Sequence, residues 1–401
     1  MKTAFCIVTR NHGDVLLHNS PYYFATMSRL GFDIYIYDSS DDDMTKNLVL
    51  AWNAKGFQNI YWLDCRFTTT AEEKVLLIYQ QAGFQKEYDY VWLSKDRMAF
   101  DANYLSRLCQ AMESKPDVIL AAKEEDSYHY SIPRFPDVYT DAISFFRDFG
   151  ATTTDWVSVI LRTSTMLAGV DFDLYSEQYN LTKENPFVQP VFLFARLAEL
   201  RQPLISIVRP KEMELAAYVG TSGGWRSQTM ELWAVKWPKA VQTLPDIYDA
   251  YKGHVIKTEC MHENLFASVS QLLSLSKSEY LTKDNFEAVR QNWANLSDIP
   301  VSWVDNILNT DIQKLCNSVI DTLTEALSLE NYPKALWLFL SNHWIKELFS
   351  EDDYQSMVRC MKDYQKETTG GNSSSILSGV HSLDDLLERG RSRDTAATKP
   401  Q

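Results

Sequence analysis

An α/β domain, its mostly parallel sheet covered by helices on both faces, followed by a helical domain, is the fold class that this sequence predicts. Three observations predict it. Over residues 1–125, short β-rich runs alternate with helix-length segments, the pattern of strands joined by crossover helices. Gly31 and Gly56 close two of those helices just ahead of the next strand, where a left-handed residue ends a helix most cheaply. From about residue 228 onward the strand runs stop and helical text takes over.

The elements follow in order. Residues 5–9 are a short apolar strand. Asp14 caps a first helix that turns Leu17, Phe24, Met27 and Leu30 inward and stops at Gly31. Residues 32–37 form a second strand, ending at Asp38, and a helix from about Met44 stops at Gly56. Residues 60–63 are a third strand, and a helix near 71–83 leads to a fourth at 88–93. Asp101 caps a helix through Met112, and 117–122 is a fifth strand. Residues 123–150, rich in Tyr, Pro and Asp, read as irregular. Strands follow at 156–162 and 204–208, with a helix over 186–200 between them. Later helices read 231–239, 263–276, 283–294, 311–329 and 333–349. The expected division is an α/β domain at 1–228, a helical domain at 229–365 and a polar, Gly/Ser-rich, disordered tail at 366–401.

The 401 residues suffice for two domains and a tail, and 45% hydrophobic with 23% charged residues is a globular composition. A net charge of −14 argues against a nucleic-acid partner, since such binders neutralise phosphates with Lys and Arg. No run approaches the roughly 20 apolar residues that a membrane span requires, so no span is expected; peripheral membrane association stays open. The apolar run in residues 1–10 is too short for a signal peptide and reads as strand. Six cysteines are scattered singly, without CxxC, which fits free thiols and a cytoplasmic location. Seven histidines show no HExxH, against a metallohydrolase.

In an open parallel sheet, ligands bind beyond the carboxyl ends of the strands. Three polar clusters fall there: Thr9-Arg10-Asn11, then Asp38-Ser39-Ser40-Asp41-Asp42-Asp43-Met44-Thr45, then Ser94-Lys95-Asp96-Arg97. No GxGxxG follows the first strand and no GxxxxGK[ST] occurs, so dinucleotide and P-loop sites are excluded. Asp41 to Asp43 are read as a solvated turn and helix cap for at least two of the three.

These clusters, in this order, resemble the family 2-type glycosyltransferases, which have the glycosyltransferase A (GT-A) fold. The resemblance implies that Thr9, Arg10 and Asn11 form a first nucleotide-binding loop and that Asp38, with Ser40, contacts the nucleobase or ribose of the donor. Tyr90-Val91-Trp92-Leu93 is similar to the strand that leads into the family's acidic DxD, but here Lys95-Asp96-Arg97 follows. Asp96 is then the one carboxylate left for the divalent metal, Mn or Mg, that the family uses. Lys95 or Arg97 offers a cation for the leaving diphosphate instead, and weak metal dependence is the expectation.

On the acceptor side, Gly169, Phe172-Asp173 and Lys183-Glu184-Asn185-Pro186 are similar to the family's pattern. The resemblance implies that Glu184, opening a helix, is the catalytic base, with Asp173 as the fallback. Gly220-Thr221-Ser222-Gly223-Gly224-Trp225-Arg226 reads as a glycine loop that closes over a donor or meets the acceptor through Gly223, Trp225 and Arg226. Trp233 and Trp237 share a helix face and are assigned to core in preference to a sugar-stacking platform.

The function this implies is transfer of a hexosyl group from a nucleotide diphosphosugar, a UDP-sugar by family frequency, to a glycan hydroxyl with inversion. The acceptor is a lipid-linked or protein-linked glycan. Two alternatives stay open: a sugar-phosphate nucleotidyltransferase, and a catalytically degenerate glycan-binding or scaffold protein.

Overall fold

The computed structural model describes residues 1–81, 84, 87–98, 100–121, 135–155, 159–209, 227–261, 265–309, 312–341, 351–369, 377, 380–382 and 384–389. The chain divides into two compact units. The first comprises Met1–Trp225 with Glu231–Glu259, the second Arg226–Met230 with Cys260–Gln401. The sequence boundary at 228 therefore falls short of the first unit's end, because the helical stretch after it packs on the sheet domain.

The first unit is built on strands β1 (Thr3–Thr9), β2 (Phe32–Asp38), β3 (Ile60–Asp64), β4 (Tyr90–Lys95), β5 (Val118–Ala121), β6 (Val138–Tyr139), β7 (Val159–Arg162) and β8 (Ile205–Val208). They form one sheet in the order β3-β2-β1-β4-β7-β5-β8-β6. β1 pairs in parallel with β2 and β4, and β2 with β3. β7 runs antiparallel between β4 and β5, and β6 antiparallel beside β8. This mostly parallel sheet with an inserted antiparallel strand is GT-A-like. Direction is invisible in a strand's own residues, which is why β7 carries no sign of its reversal.

The helices of this unit are α1 (Gly13–Arg29), α2 (Met44–Ala54), α3 (Ala71–Gln80), α4 (Ala102–Glu113), α5 (Ala142–Phe149), α6 (Phe172–Tyr179), α7 (Val188–Glu199), α8 (Trp237–Gln242) and α9 (Asp249–Cys260). Every residue of β1 is buried, as the central strand of a sheet covered on both faces must be. Phe5 packs edge-on against Trp92 at 4.9 Å and Tyr23 at 6.2 Å, at the middle of a core that includes Ile7, Met27, Ile34, Tyr104 and Leu108. Leu16, not Leu17, is the inward leucine of α1; Leu17 is 48% exposed. His12, not Asp14, stands at the N-cap of α1, and Asp14 lies in the first turn. Asp101 does cap α4, accepting from Asn103 N at 2.7 Å. The stretch 123–150 contains β6 and α5, whose apolar face (Phe145, Phe146, Phe149) is buried.

The second unit is helical: α10 (Val269–Lys277), α11 (Lys283–Glu287), α12 (Val301–Asn309), α13 (Ile312–Ser328), α14 (Tyr332–Ser341) and α15 (Glu351–Thr369). Its core gathers Leu323, Leu327, Phe339, Met357 and Met361 together with Leu377, Val380 and Leu386. The expected disordered tail is thus corrected in part: α15 runs to Thr369, and three apolar residues of the Gly/Ser-rich stretch are buried. Among the described residues, no helix is long and apolar enough to cross a membrane.

Candidate functional site

The sheet order reverses at β1, with β2 and β3 on one side and β4 onward on the other. The carboxyl ends of β1 and β4 therefore flank the switch point, where open α/β sheets bind ligands. Two of the three sequence clusters meet there, and the third adjoins them.

Thr9 ends β1. Its carbonyl accepts from Ser39 N at 3.2 Å and from Lys74 Nζ at 2.6 Å. Lys74 comes from the first turn of α3, is 3% exposed, and has its pKa lowered by burial. Beyond Thr9 the chain turns through Asn11, which takes a left-handed φ of 56°, a conformation asparagine tolerates. Asn11 N donates to Ser40 Oγ at 2.8 Å, and its side chain exchanges two bonds with Asp41, at 2.8 and 2.9 Å. A Cβ at Gly13 would meet Met44 Cγ at 2.7 Å, so a side chain there would force the Met44 side chain to shift.

Asp38, at the end of β2, is 2% exposed. Its Oδ1 accepts from Ser40 N at 2.9 Å and Ser40 Oγ at 2.5 Å, and its Oδ2 accepts from Trp62 Nε1 at 3.0 Å. Asp38 and Ser40 therefore organise the turn from inside it. A carboxylate has about four acceptor sites, so these three bonds leave one, on Oδ2. Arg10, Asn11 and Asp41 to Asp43 are the exposed residues here. Asp43 stands at the N-cap of α2 without a side-chain cap bond, and Asp42, one residue earlier, accepts from Met44 N at 2.9 Å.

Asp96, just past β4, is 5% exposed. Its Oδ2 accepts from Thr9 Oγ1 at 2.8 Å and lies 2.8 Å from His12 Nδ1, while Asn19 Nδ2 donates to its carbonyl at 3.3 Å. Burial and the neighbouring Asp96 carboxylate push the Tyr23 hydroxyl far above its ordinary range. Arg97 Nη2 approaches His12 Nε2 at 3.3 Å. Lys95 forms an ion pair with Asp155 at 2.9 Å. Arg97 therefore joins this network through His12.

Among the described residues, Asp96 is the carboxylate that would hold the divalent metal implied by the resemblance. Its Oδ2 serves Thr9 Oγ1 and His12 Nδ1, which leaves Oδ1. Mg is commonly held by one or two carboxylates together with substrate phosphates and water, so such an ion would share Asp96 with the donor diphosphate.

The acceptor-side residues part company. Glu184 is exposed and lies in a turn, four residues ahead of α7, so it does not open a helix as expected. Asn185 closes that turn, accepting from Phe187 N at 3.0 Å and donating to Asn180 O at 3.0 Å. Lys183 pairs with Glu73 at 3.6 Å, which ties the turn to the start of α3, one residue from Lys74. Asp173 is exposed in the first turn of α6, whose contacts are with the middle and far end of α7: Phe172 stacks on Phe192 at 5.6 Å, and the Tyr175 hydroxyl meets Glu199. Trp237 is 1% exposed, and Trp233 and Trp237 both pack on Phe187, at 5.2 and 4.9 Å, as core residues do. Gly223, Trp225 and Arg226 lie outside the described residues.

Sequence reasoning missed His12, Lys74 and Trp62. Only His12 carried a signal, its place three residues past a strand end; Lys74 and Trp62 reach the site from other elements.

No family model matches the sequence, and no curated protein matches it. Among solved structures, residues 1–349 of TarS from S. aureus are similar at 12% identity, covering 99% of this chain and 92% of that one, with a TM-score of 0.44. The mannosyltransferase PcManGT from Pyrobaculum calidifontis, solved with GDP-Man and Mn2+, is similar at 11% identity over 87% and 88% of the two chains, also with a TM-score of 0.44. The functional reading rests on the residues above and not on these likenesses.

Proposed function

We propose that the first unit is a glycosyltransferase that moves a hexosyl group from a nucleotide diphosphosugar, a UDP-sugar first among candidates, to a glycan hydroxyl with inversion. The observation that carries this reading is the Thr9–Asp96 bond across the carboxyl ends of β1 and β4, beside Arg10, Lys74 and Arg97. A buried polar junction edged with cations at a topological switch point suits a nucleoside diphosphate. The turn at 38–41, stitched to Asn11, forms the adjoining wall for the nucleoside.

In the reaction, the acceptor oxygen attacks the anomeric carbon and its proton passes to a carboxylate. The bond from that carbon to the diphosphate breaks, and the electron pair leaves with the diphosphate. Glu184 is the proposed base, supported by the Lys183–Glu73 pair that holds its turn beside the start of α3. Asp173 is the fallback. The acceptor is a lipid-linked or protein-linked glycan reached from the cytoplasm.

Calorimetry with UDP, GDP, CDP and dTDP tests the reading. Binding of at least one in the micromolar to millimolar range, weakened by Asp38→Ala, is expected. No binding of any nucleoside diphosphate would remove the transferase and leave a glycan-binding or scaffold role.

A further inference from the structure

An indole nitrogen can only donate a hydrogen bond, and an ionised carboxylate can only accept one. Trp62 Nε1, on the neighbouring strand β3, donates to Asp38 Oδ2 at 3.0 Å. Oδ1 is taken up by Ser40, through N at 2.9 Å and Oγ at 2.5 Å. The carboxylate is therefore held at both oxygens, and its plane cannot turn without breaking a bond at one of them. The indole is itself clamped. Lys46 Nζ, from the first turn of α2, lies 5.2 Å from the centre of a Trp62 ring, and Arg66 Cζ lies 5.9 Å from it. Arg66 is fixed in turn by Asp64 at 3.1 Å and Asp43 at 3.2 Å. Trp62 also packs, half-buried, against the core that holds Val49 and Ile60.

We propose that Trp62 is a positioning residue for the donor: it sets the Asp38 carboxylate so that the acceptor site left on Oδ2 meets a hydrogen-bond donor of the nucleoside. The proposal rests on the transferase reading of this same crevice. Three observations carry it. Both sites of Oδ1 are used within its own turn, so the oxygen with a site to offer is the one that Trp62 holds. Asp38 is 2% exposed, so a small rotation of its carboxylate decides whether that site is presented or hidden. Asn11 N donates to Ser40 Oγ at 2.8 Å, so the same turn is tied to the end of β1, and Trp62 acts on a wall shared by β1, β2 and β3. A binding group whose geometry is set by its own chain gains affinity, because ordering it takes nothing from the binding free energy.

Calorimetry on the full-length protein measures UDP, GDP, CDP and dTDP, and ligand-observed NMR measures uridine, guanosine, cytidine and thymidine. Trp62→Phe keeps an aromatic ring beside the two cations and removes the Nε1 donor. It should weaken the diphosphate that binds and its parent nucleoside by the same factor, about three- to tenfold. In an Asp38→Ala background the same change should cost the diphosphate nothing further, since two residues that act through one contact are not additive. A merely structural tryptophan would weaken both backgrounds alike. Lys46→Met leaves the indole donor in place and loosens its clamp, so it should act in the same direction by less. It carries the test if thermal melts show that Trp62→Phe is poorly folded. Wild-type nucleoside affinity in a folded Trp62→Phe protein would overturn the proposal and leave the transferase reading standing. So would equal losses with and without the Asp38 carboxylate. If none of the four diphosphates binds the wild type, the transferase reading falls first and this proposal with it.

Discussion

Glu184 and Asp173 are close in sequence, yet their surroundings belong to different parts of α7. Glu184 precedes the helix in a turn joined to the start of α3 through Lys183 and Glu73. Asp173 sits on α6, which leans on Phe192 and reaches Glu199 at the helix's far end. Since α3 begins at the carboxyl end of β3 and sends Lys74 to Thr9, the Glu184 turn is on the crevice side. Glu184→Gln keeps the shape of the side chain and removes its basic lone pair. It should lower transfer by about 10²–10⁴, the usual worth of a general base, and leave UDP affinity unchanged. Wild-type turnover in Glu184→Gln with a defect in Asp173→Asn would move the base to α6. At this scale the sequence revealed the residues that end strands, namely Thr9, Asp38 and Asp96. It did not reveal what they touch. The bonds from Trp62 to Asp38 and from Lys74 to Thr9 span separate elements, and no local pattern records such a meeting.

Helix α3 links the core of the sheet to both sides of the candidate site. Its N-terminus is a capping box: Thr70 accepts from Glu73 N, and Glu73 accepts in return from Thr70 N at 3.2 Å. The next residue is Lys74, so the cap fixes the rotation that aims Lys74 at Thr9. Thr70→Ala should cost about 1 kcal/mol of stability, read from urea denaturation, and should weaken UDP binding through the displaced Lys74. An unchanged midpoint would mean that packing alone sets this helix. Elements with a chemical stop or start were legible in the sequence. Gly31 and Gly56 take φ values of 85° and 101° at helix ends, and Asp101 caps α4. Helix α5 was not legible, because an eight-residue helix among Tyr, Pro and Asp has too few turns to show a period. In α1, the sequence reading turned Leu17 inward, whereas Leu16 is the buried one of the adjacent pair.

Across the whole molecule, the net charge is −14, and the crevice itself sets Arg10, Lys74 and Arg97 beside Asp38, Asp96 and Asp41 to Asp43. Burial also sets the alkaline limit of the fold. It raises the Cys65 thiol from 9.0 to about 11, and the Tyr175 hydroxyl from 10.0 to about 12. A raised folded pKa gives stability that is complete below the unfolded value and lost as pH rises through the folded one. Urea midpoints should therefore fall between pH 9 and 12, and Cys65→Ala should flatten the part of that fall below about pH 11. An equally steep fall in the variant would place the titrating groups elsewhere. The boundary of the first unit gives a further test. Residues 229–259 were expected to begin a separate helical domain, yet Trp237, Val241, Tyr248 and Val255 are buried. Tyr248 donates to Phe194 O at 2.9 Å and packs on Phe146 at 4.6 Å, and Thr154 donates to Glu259 at 3.0 Å. Stripping one large aromatic from a core costs about 3–5 kcal/mol, and a domain has only about 5–15 kcal/mol in total. A fragment of residues 1–259 should therefore melt cooperatively and bind UDP, whereas 1–228 should do neither. Cooperative melting of 1–228 would return the boundary to the place the sequence suggested and make α8 and α9 an appendage of the sheet domain.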